Sequence, residues 1–140
     1  MLSSDASGLT AQHHVVRFMA ELKRRGLRVT SQRIGVARIV LHEVCRGGHP
    51  SFNHVMNLAK RVMPSISGST VYNTLRLLEA LGFIQSFSLN GETVYDKPEP
   101  HVNIACTRSG RIIDAPSSLV DYARRELRVK VRNIVVYADC

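Results

Sequence analysis

Residues Ser67 to Tyr95 constrain the fold of this chain more than any other stretch, because a helical pattern there runs straight into a hairpin pattern. Val71, Leu75, Leu78 and Leu81 recur at spacings of four, three and three, which places them on one face of an α-helix. Ser67 or Ser69 suits the N-cap, and Gly82 suits the left-handed residue that closes the helix. Alternating segments then flank Asn90-Gly91, the strongest short signal for a tight β-turn. The outward face of the helix carries Tyr72, Asn73 and Arg76, which can donate hydrogen bonds to phosphates or base edges. No carboxylate precedes Glu79 in the helix, so its N-terminal half presents amide dipoles, hydroxyls and cations to an anion. A recognition helix followed by a wing is the plan of a winged helix-turn-helix.

Charge agrees with a polyanionic partner. The formal net charge is +8, with eleven Lys and Arg against five Asp and Glu through Tyr95, and eight against six beyond it. Upstream of the recognition helix, three further helices are predicted. Val15, Phe18, Met19 and Leu22 outline the first, from Leu9 to Arg25, after an unstructured start over residues 1–8. Its closing Lys23-Arg24-Arg25 either complements the helix C-terminus or meets phosphate. A Thr30 cap opens the second, and a Ser51 cap opens the third, which buries Val55, Leu58, Ala59 and Val62.

No apolar run reaches membrane-spanning length, and residues 1–8 lack a basic-then-apolar secretion signal. The three cysteines, Cys45, Cys106 and Cys140, offer no disulfide framework. A cytoplasmic protein with no membrane partner is expected. Enzyme chemistry has no support: there is no Ser-His-Asp arrangement and no phosphate-cradling glycine loop. A winged-helix regulator that answers a non-metal signal is the alternative to a metal-responsive one.

Three groups of residues carry a resemblance. Gly26-Leu27-Arg28-Val29-Thr30-Ser31-Gln32-Arg33, then Ser69-Thr70-Val71-Tyr72-Asn73-Thr74-Leu75, then Val94-Tyr95-Asp96 resemble the ferric-uptake-regulator family of metal-responsive repressors. The likeness continues through His101, Cys106, Gly110 and Asp114 to Tyr137-Ala138-Asp139-Cys140. It implies an α+β protein: a winged-helix DNA-binding domain over residues 1–95 and a small α/β dimerisation domain over residues 96–140. Val102 to Ala105, Arg111 to Ala115 and Ile134 to Tyr137 have strand character there, and a helix over Ser117 to Leu127 turns Leu119, Val120, Ala123 and Leu127 inward after a Ser117 cap. It also implies a homodimer on palindromic double-stranded operator DNA, held by Arg28, Arg33, Ser69, Thr70, Tyr72, Asn73 and Arg76.

The resemblance places a regulatory metal on His49, Asp96, His101, Asn103 and Asp114. Imidazoles, carboxylates and an amide oxygen suit Mn²⁺ or Fe²⁺, with Zn²⁺ or Ni²⁺ as substitutes in vitro. Asn103 stands where the family usually has His, which shifts the set toward harder cations. The closest branch senses peroxide as well as manganese or iron. A second regulatory site is not expected, and His13, His14, His42 and His54 read as surface histidines. The family's two Cys-x-x-Cys pairs are each reduced to one thiol, Cys106 and Cys140, so no structural zinc is expected. The two sulfurs should lie close together, as thiols in a reducing compartment and joined on oxidation if their Cα atoms come within roughly 7 Å.

Overall fold

The structure, a computed structural model, describes residues 2–140, with side chains from residue 8 onward. Four helices lead the chain: α1 (Leu2–Arg24), α2 (Ser31–Cys45), α3 (Phe52–Val62) and α4 (Gly68–Ala80). The hairpin β1 (Gln85–Leu89) and β2 (Glu92–Asp96) follows, then β3 (Val102–Cys106), β4 (Ile112–Ala115), α5 (Ser118–Leu127) and β5 (Ile134–Ala138). The chain forms two compact units: one through Ser86 with Thr93–Lys97, the other Phe87–Glu92 with Pro98–Cys140.

Local chemistry sets the helix starts of the first unit. The hydroxyls of Thr30, Ser51 and Ser67 accept hydrogen bonds from the amides of Arg33, His54 and Thr70, each at 3.1 Å. Gly82 takes φ +84° after α4, and Phe83 N–H returns to Leu78 O at 2.9 Å, closing the end as a left-handed cap. The core gathers the periodic residues: Phe18, Leu22, Val36, Val40, Leu41, Val55, Val71, Leu75, Leu78 and Ile84 are almost wholly buried. Phe83 meets Phe18 edge-on at 5.8 Å. Positive φ at Asn90 and Gly91 (51° and 81°) gives the hairpin its primed turn. Ser51 pairs with Val94 as an isolated antiparallel bridge, and Tyr95 N–H donates to Pro50 O at 2.9 Å, so the segment before α3 is fastened beside β2.

In the second unit β3 is central, antiparallel to β4 and parallel to β5. Val102, Asn103, Ala105 and Cys106 of β3 are buried.

Some expectations are corrected. Helix α1 begins at Leu2, so residues 2–8 extend it; Met1 lies outside the described residues. Val62, at the end of α3, is exposed. Ser117 makes no side-chain cap, because its own backbone is already helical (φ −66°, ψ −15°) and Leu119 N–H bonds Pro116 O instead. Of the α5 residues expected inward, Val120 is buried, Ala123 is half-buried, and Leu119 and Leu127 are exposed.

Candidate nucleic-acid interface and metal centre

The outward face of α4 begins at its cap. Ser67 Oγ takes the Thr70 amide and lies 2.9 Å from Thr70 Oγ1 and 3.1 Å from Ser69 Oγ. These hydroxyls and the first-turn amides, with no acid among them, make an electropositive helix start. Tyr72 is half-exposed, with the Arg76 guanidinium 5.9 Å from its ring centre and the edge of Phe52 on another side at 6.2 Å. Asn73 and Arg76 are exposed beside it. Glu79, one turn further on, accepts the Ser86 hydroxyl at 2.8 Å, which ties α4 to the start of the hairpin. A cavity of about 450 Å³ lies there, lined by Tyr72, Arg76, Glu79, Ser86, Thr93 and Tyr95 among others. Burial, with the charges of Glu79 and Tyr72 adding to it, pushes the Tyr95 hydroxyl up to about 12, so it stays protonated at neutral pH.

The basic residues before α4 divide into two kinds. Arg33 donates from one guanidinium nitrogen to Arg28 O at 2.7 Å and so fixes the loop ahead of α2, while Arg28 is exposed. Arg24 grips Glu21 through two hydrogen bonds (2.6 and 2.9 Å), and Arg25 reaches the same carboxylate at 3.4 Å. The Arg24 hydrogen bonds hold Glu21 down at about 2.

The residues expected to hold metal fall into groups within each unit. In the first, His49 Nε2 stands 3.5 Å from Asp96 Oδ1, and that oxygen also accepts the Lys97 amide at 2.8 Å. The bridge between the Pro50-Ser51 segment and β2 places the two residues side by side, and Asp96 is buried. In the second, His101 Nδ1 lies 2.6 Å from Glu99 O. A carbonyl only accepts, so Nδ1 carries the hydrogen and Nε2 keeps its lone pair. That Nε2 accepts from the Asn103 amide at 3.0 Å, in a buried pair. Asp114 is the cross-strand partner of Asn103 on β4, at an exposed edge position. Among the described residues, no three His, Cys, Asp or Glu side chains stand together as a cage.

The donor set fits a hard or borderline divalent cation. An imidazole whose Nδ1–H is pinned to a backbone carbonyl, leaving Nε2 as the donor atom, is the usual arrangement behind a metal-ligating histidine. A structural zinc fits poorly, because Cys106 and Cys140 are joined in a disulfide with Cα atoms 5.1 Å apart and disulfide sulfurs are not thiolate ligands. The 5.1 Å Cα separation meets the expectation that the two sulfurs lie close enough to join on oxidation. Cys45, half-buried at the end of α2, stands outside that disulfide.

Phe52 also shapes the outward face of α4, and sequence reasoning did not single it out. Phe52 sits immediately after a legible cap, but its contact with Tyr72 depends on how α3 and α4 pack.

Residues 24–137 match the model of the Ferric uptake regulator family. A ferric uptake regulation protein homolog of Archaeoglobus fulgidus is 37% identical over 89 residues, which span 63% of this chain and 68% of that protein. The peroxide-responsive repressor PerR of Staphylococcus epidermidis is 26% identical over 104 residues, covering 73% and 67% of the two chains. The crystal structure of a Campylobacter jejuni peroxide stress regulator superposes with a TM-score of 0.64 at 27% identity, over 87% of this chain and 95% of that one.

Proposed function

The chain belongs to the ferric uptake regulator family, whose members are metal-responsive transcriptional regulators and not enzymes, and from that premise we propose that it is a metal-dependent repressor of operator DNA. It acts as a homodimer that sets two copies of α4 into successive major grooves of a palindrome. Tyr72 and Asn73 read base edges; Ser69, Thr70, Arg28, Arg33 and Arg76 position the duplex through phosphates. One Fe²⁺ or Mn²⁺ per chain is held by His49, Asp96, His101, Asn103 and Asp114.

The observation that carries this reading is the preparation of His101. Its Nδ1–H is spent on Glu99 O, which directs the Nε2 lone pair to the buried Asn103 amide. His49 and Asp96 are the corresponding pair in the DNA-binding unit, with His49 Nε2 3.5 Å from Asp96 Oδ1. A cation shared by both groups would supply a cross-link that favours one inter-domain arrangement over the rest. The chain's own part is to keep His101 in one tautomer, to hold Asp96 against the Lys97 amide, and to offer two imidazole rings, two carboxyl groups and an amide oxygen.

Anisotropy of a labelled palindromic duplex, titrated with protein in chelator and then in Mn²⁺, Fe²⁺ or Zn²⁺, tests the proposal. Metal is expected to tighten specific binding by about tenfold or more, a coupling of the usual allosteric size. His49→Ala and Asp96→Ala should bind in chelator like the parent and lose the metal response. Equal affinity of the parent with and without metal would replace this reading with a winged-helix regulator of a non-metal signal.

A further inference from the structure

The second unit is closed by the cross-link between Cys106 and Cys140, which are 34 positions apart in sequence. Cys106 ends β3 and is 1% exposed; Cys140 lies two residues beyond β5 and is exposed. The backbone around the bridge is doubly bonded. Thr107 N–H donates to Ala138 O at 2.9 Å, and the Thr107 hydroxyl donates to the same oxygen at 3.2 Å. This clasp also holds the turn of the β1–β2 hairpin, whose residues Phe87–Glu92 pack with this unit. The Asn90 amide donates to Thr107 O at 3.0 Å, and the Tyr137 hydroxyl donates to Ser88 O. One anchor of the turn is therefore the neighbour of Cys106, and the other is three residues from Cys140.

We propose that Cys106 and Cys140 form a thiol–disulfide site, oxidised by hydroperoxides, whose closure fixes the clasp that anchors the hairpin turn. The exposed Cys140 thiolate attacks the peroxide O–O bond, becomes a sulfenic acid and releases an alcohol, or water from hydrogen peroxide itself. The Cys106 thiolate then attacks that sulfur, and the displaced hydroxide leaves as water after taking a proton. Two thiols and one hydroperoxide thus give one disulfide, one alcohol and one water, with two electrons passing from sulfur to peroxide. In the reduced form the covalent link between Cys106 and Cys140, which flank Thr107 and Tyr137, is gone, and the turn between Ser88 and Asn90 opens more often. For DNA binding, the inference rests on reading this hairpin as the wing of the proposed repressor.

The test uses the full chain in chelator, which removes any contribution from bound metal. Hydrogen peroxide is expected to remove the mass of two hydrogens from the reduced parent and none from Cys140→Ser. Amides of the turn, Asn90 to Glu92, should exchange about tenfold faster in the reduced parent than in the oxidised one, as expected when a local restraint is lost. Oxidised Cys140→Ser should behave as the reduced parent, and amides in the middle of α2 and α4 should be unchanged in all three. Equal turn exchange in both redox states, or no cross-link under peroxide, would overturn the proposal. Should Cys140→Ser misfold, the reduced and oxidised parent still decide it, and Asn90→Ala combined with Tyr137→Phe, which removes both anchors, should abolish the redox difference in exchange at the turn. A duplex titration completes the experiment. Affinity that differs between redox states in the parent alone extends the switch to DNA, whereas no DNA binding in either state fails the repressor reading and leaves the exchange result standing.

Discussion

The ring of Phe52 meets the ring of Tyr72 edge-on, with centroids 6.2 Å apart and planes inclined at 70°. Phe52 opens α3, three residues after His49, and the intervening Pro50 and Ser51 are bonded to Tyr95 and Val94 beside Asp96. One short stretch therefore carries a candidate metal ligand at one end and the support of a candidate base-reading ring at the other.

That arrangement predicts a separation of specific from non-specific binding. Tyr72→Ala should cost about 1–3 kcal/mol of operator binding, the size of one good base contact. Phe52→Leu keeps bulk but removes the aromatic edge, and should cost about 0.5–1.5 kcal/mol on the operator. Neither variant should change affinity for a random duplex, because neither removes a charge. Competition titrations of operator against random DNA measure the ratio directly. Unchanged operator affinity in both variants would mean that α4 does not read bases through Tyr72.

The first unit should also weaken at alkaline pH through Tyr95. Its hydroxyl is pushed up to about 12 by burial, with Glu79 and Tyr72 adding repulsion, against about 10 in an unfolded chain. The folded state thus holds this proton more tightly, so the contribution is fully present below pH ~10 and is lost as pH rises toward ~12. Thermal melts followed by circular dichroism should show the melting temperature falling through that window. Tyr95→Phe should flatten the fall, since it removes the titrating group while keeping the buried ring. A melt equally pH-sensitive in Tyr95→Phe would assign the loss to other groups.

The parts legible from sequence were those fixed by neighbours along the chain. The Thr30 and Ser51 caps and the Asn90-Gly91 turn each depend on a few residues, and each forms as read; of Ser67 and Ser69, left open as caps, Ser67 takes the amide. The apolar spacing of α4 likewise selects Val71, Leu75 and Leu78 for the core, with Leu81 partly buried against it. Ser117 failed because Pro116 starts the helical turn one residue earlier, leaving the serine inside it. Residues 2–8 hold serines, an aspartate and a glycine, poor helix formers, yet they continue a helix already propagating from Leu9. The anchors of the hairpin turn were not legible, since Tyr137 and Ser88 are 49 residues apart and only β5 pairing with β3 brings Tyr137 into place. At the candidate metal centre, residue types pointed to the chemistry. The His101 tautomer instead depends on where Glu99 O lies, which no spacing rule supplies.

Iron and peroxide together should mark the candidate centre chemically. With Fe²⁺ bound and hydrogen peroxide added, tryptic peptides are expected to carry one added oxygen on the ring of His49 or His101, and none when Mn²⁺ replaces iron. The two similar proteins described as peroxide regulators motivate the experiment. A Cys140→Ser background keeps disulfide chemistry out of the readout. No added oxygen, with DNA binding indifferent to peroxide, would exclude peroxide sensing at this site and leave a manganese or iron regulator standing.

The second unit leaves several large apolar side chains exposed, where the proposed repressor would seat its second copy. Val120 is the buried residue of α5, while Leu119, Tyr122 and Leu127 are 45%, 56% and 66% exposed, and Val136 on β5 is 41% exposed. A unit of this size cannot cover three strands and a helix by itself, and apolar faces of this kind mark obligate interfaces. Tyr122→Glu places a charge on that face without touching the buried Val120, so the unit itself should survive. Light scattering on a sizing column should then read a monomer where the parent reads a dimer, and operator affinity should fall by at least about tenfold as the second half-site is lost. Ser118→Glu, at an exposed position at the start of the same helix, is the control for added charge. A Tyr122→Glu protein that remains dimeric with full operator affinity would place the dimer interface elsewhere than on α5.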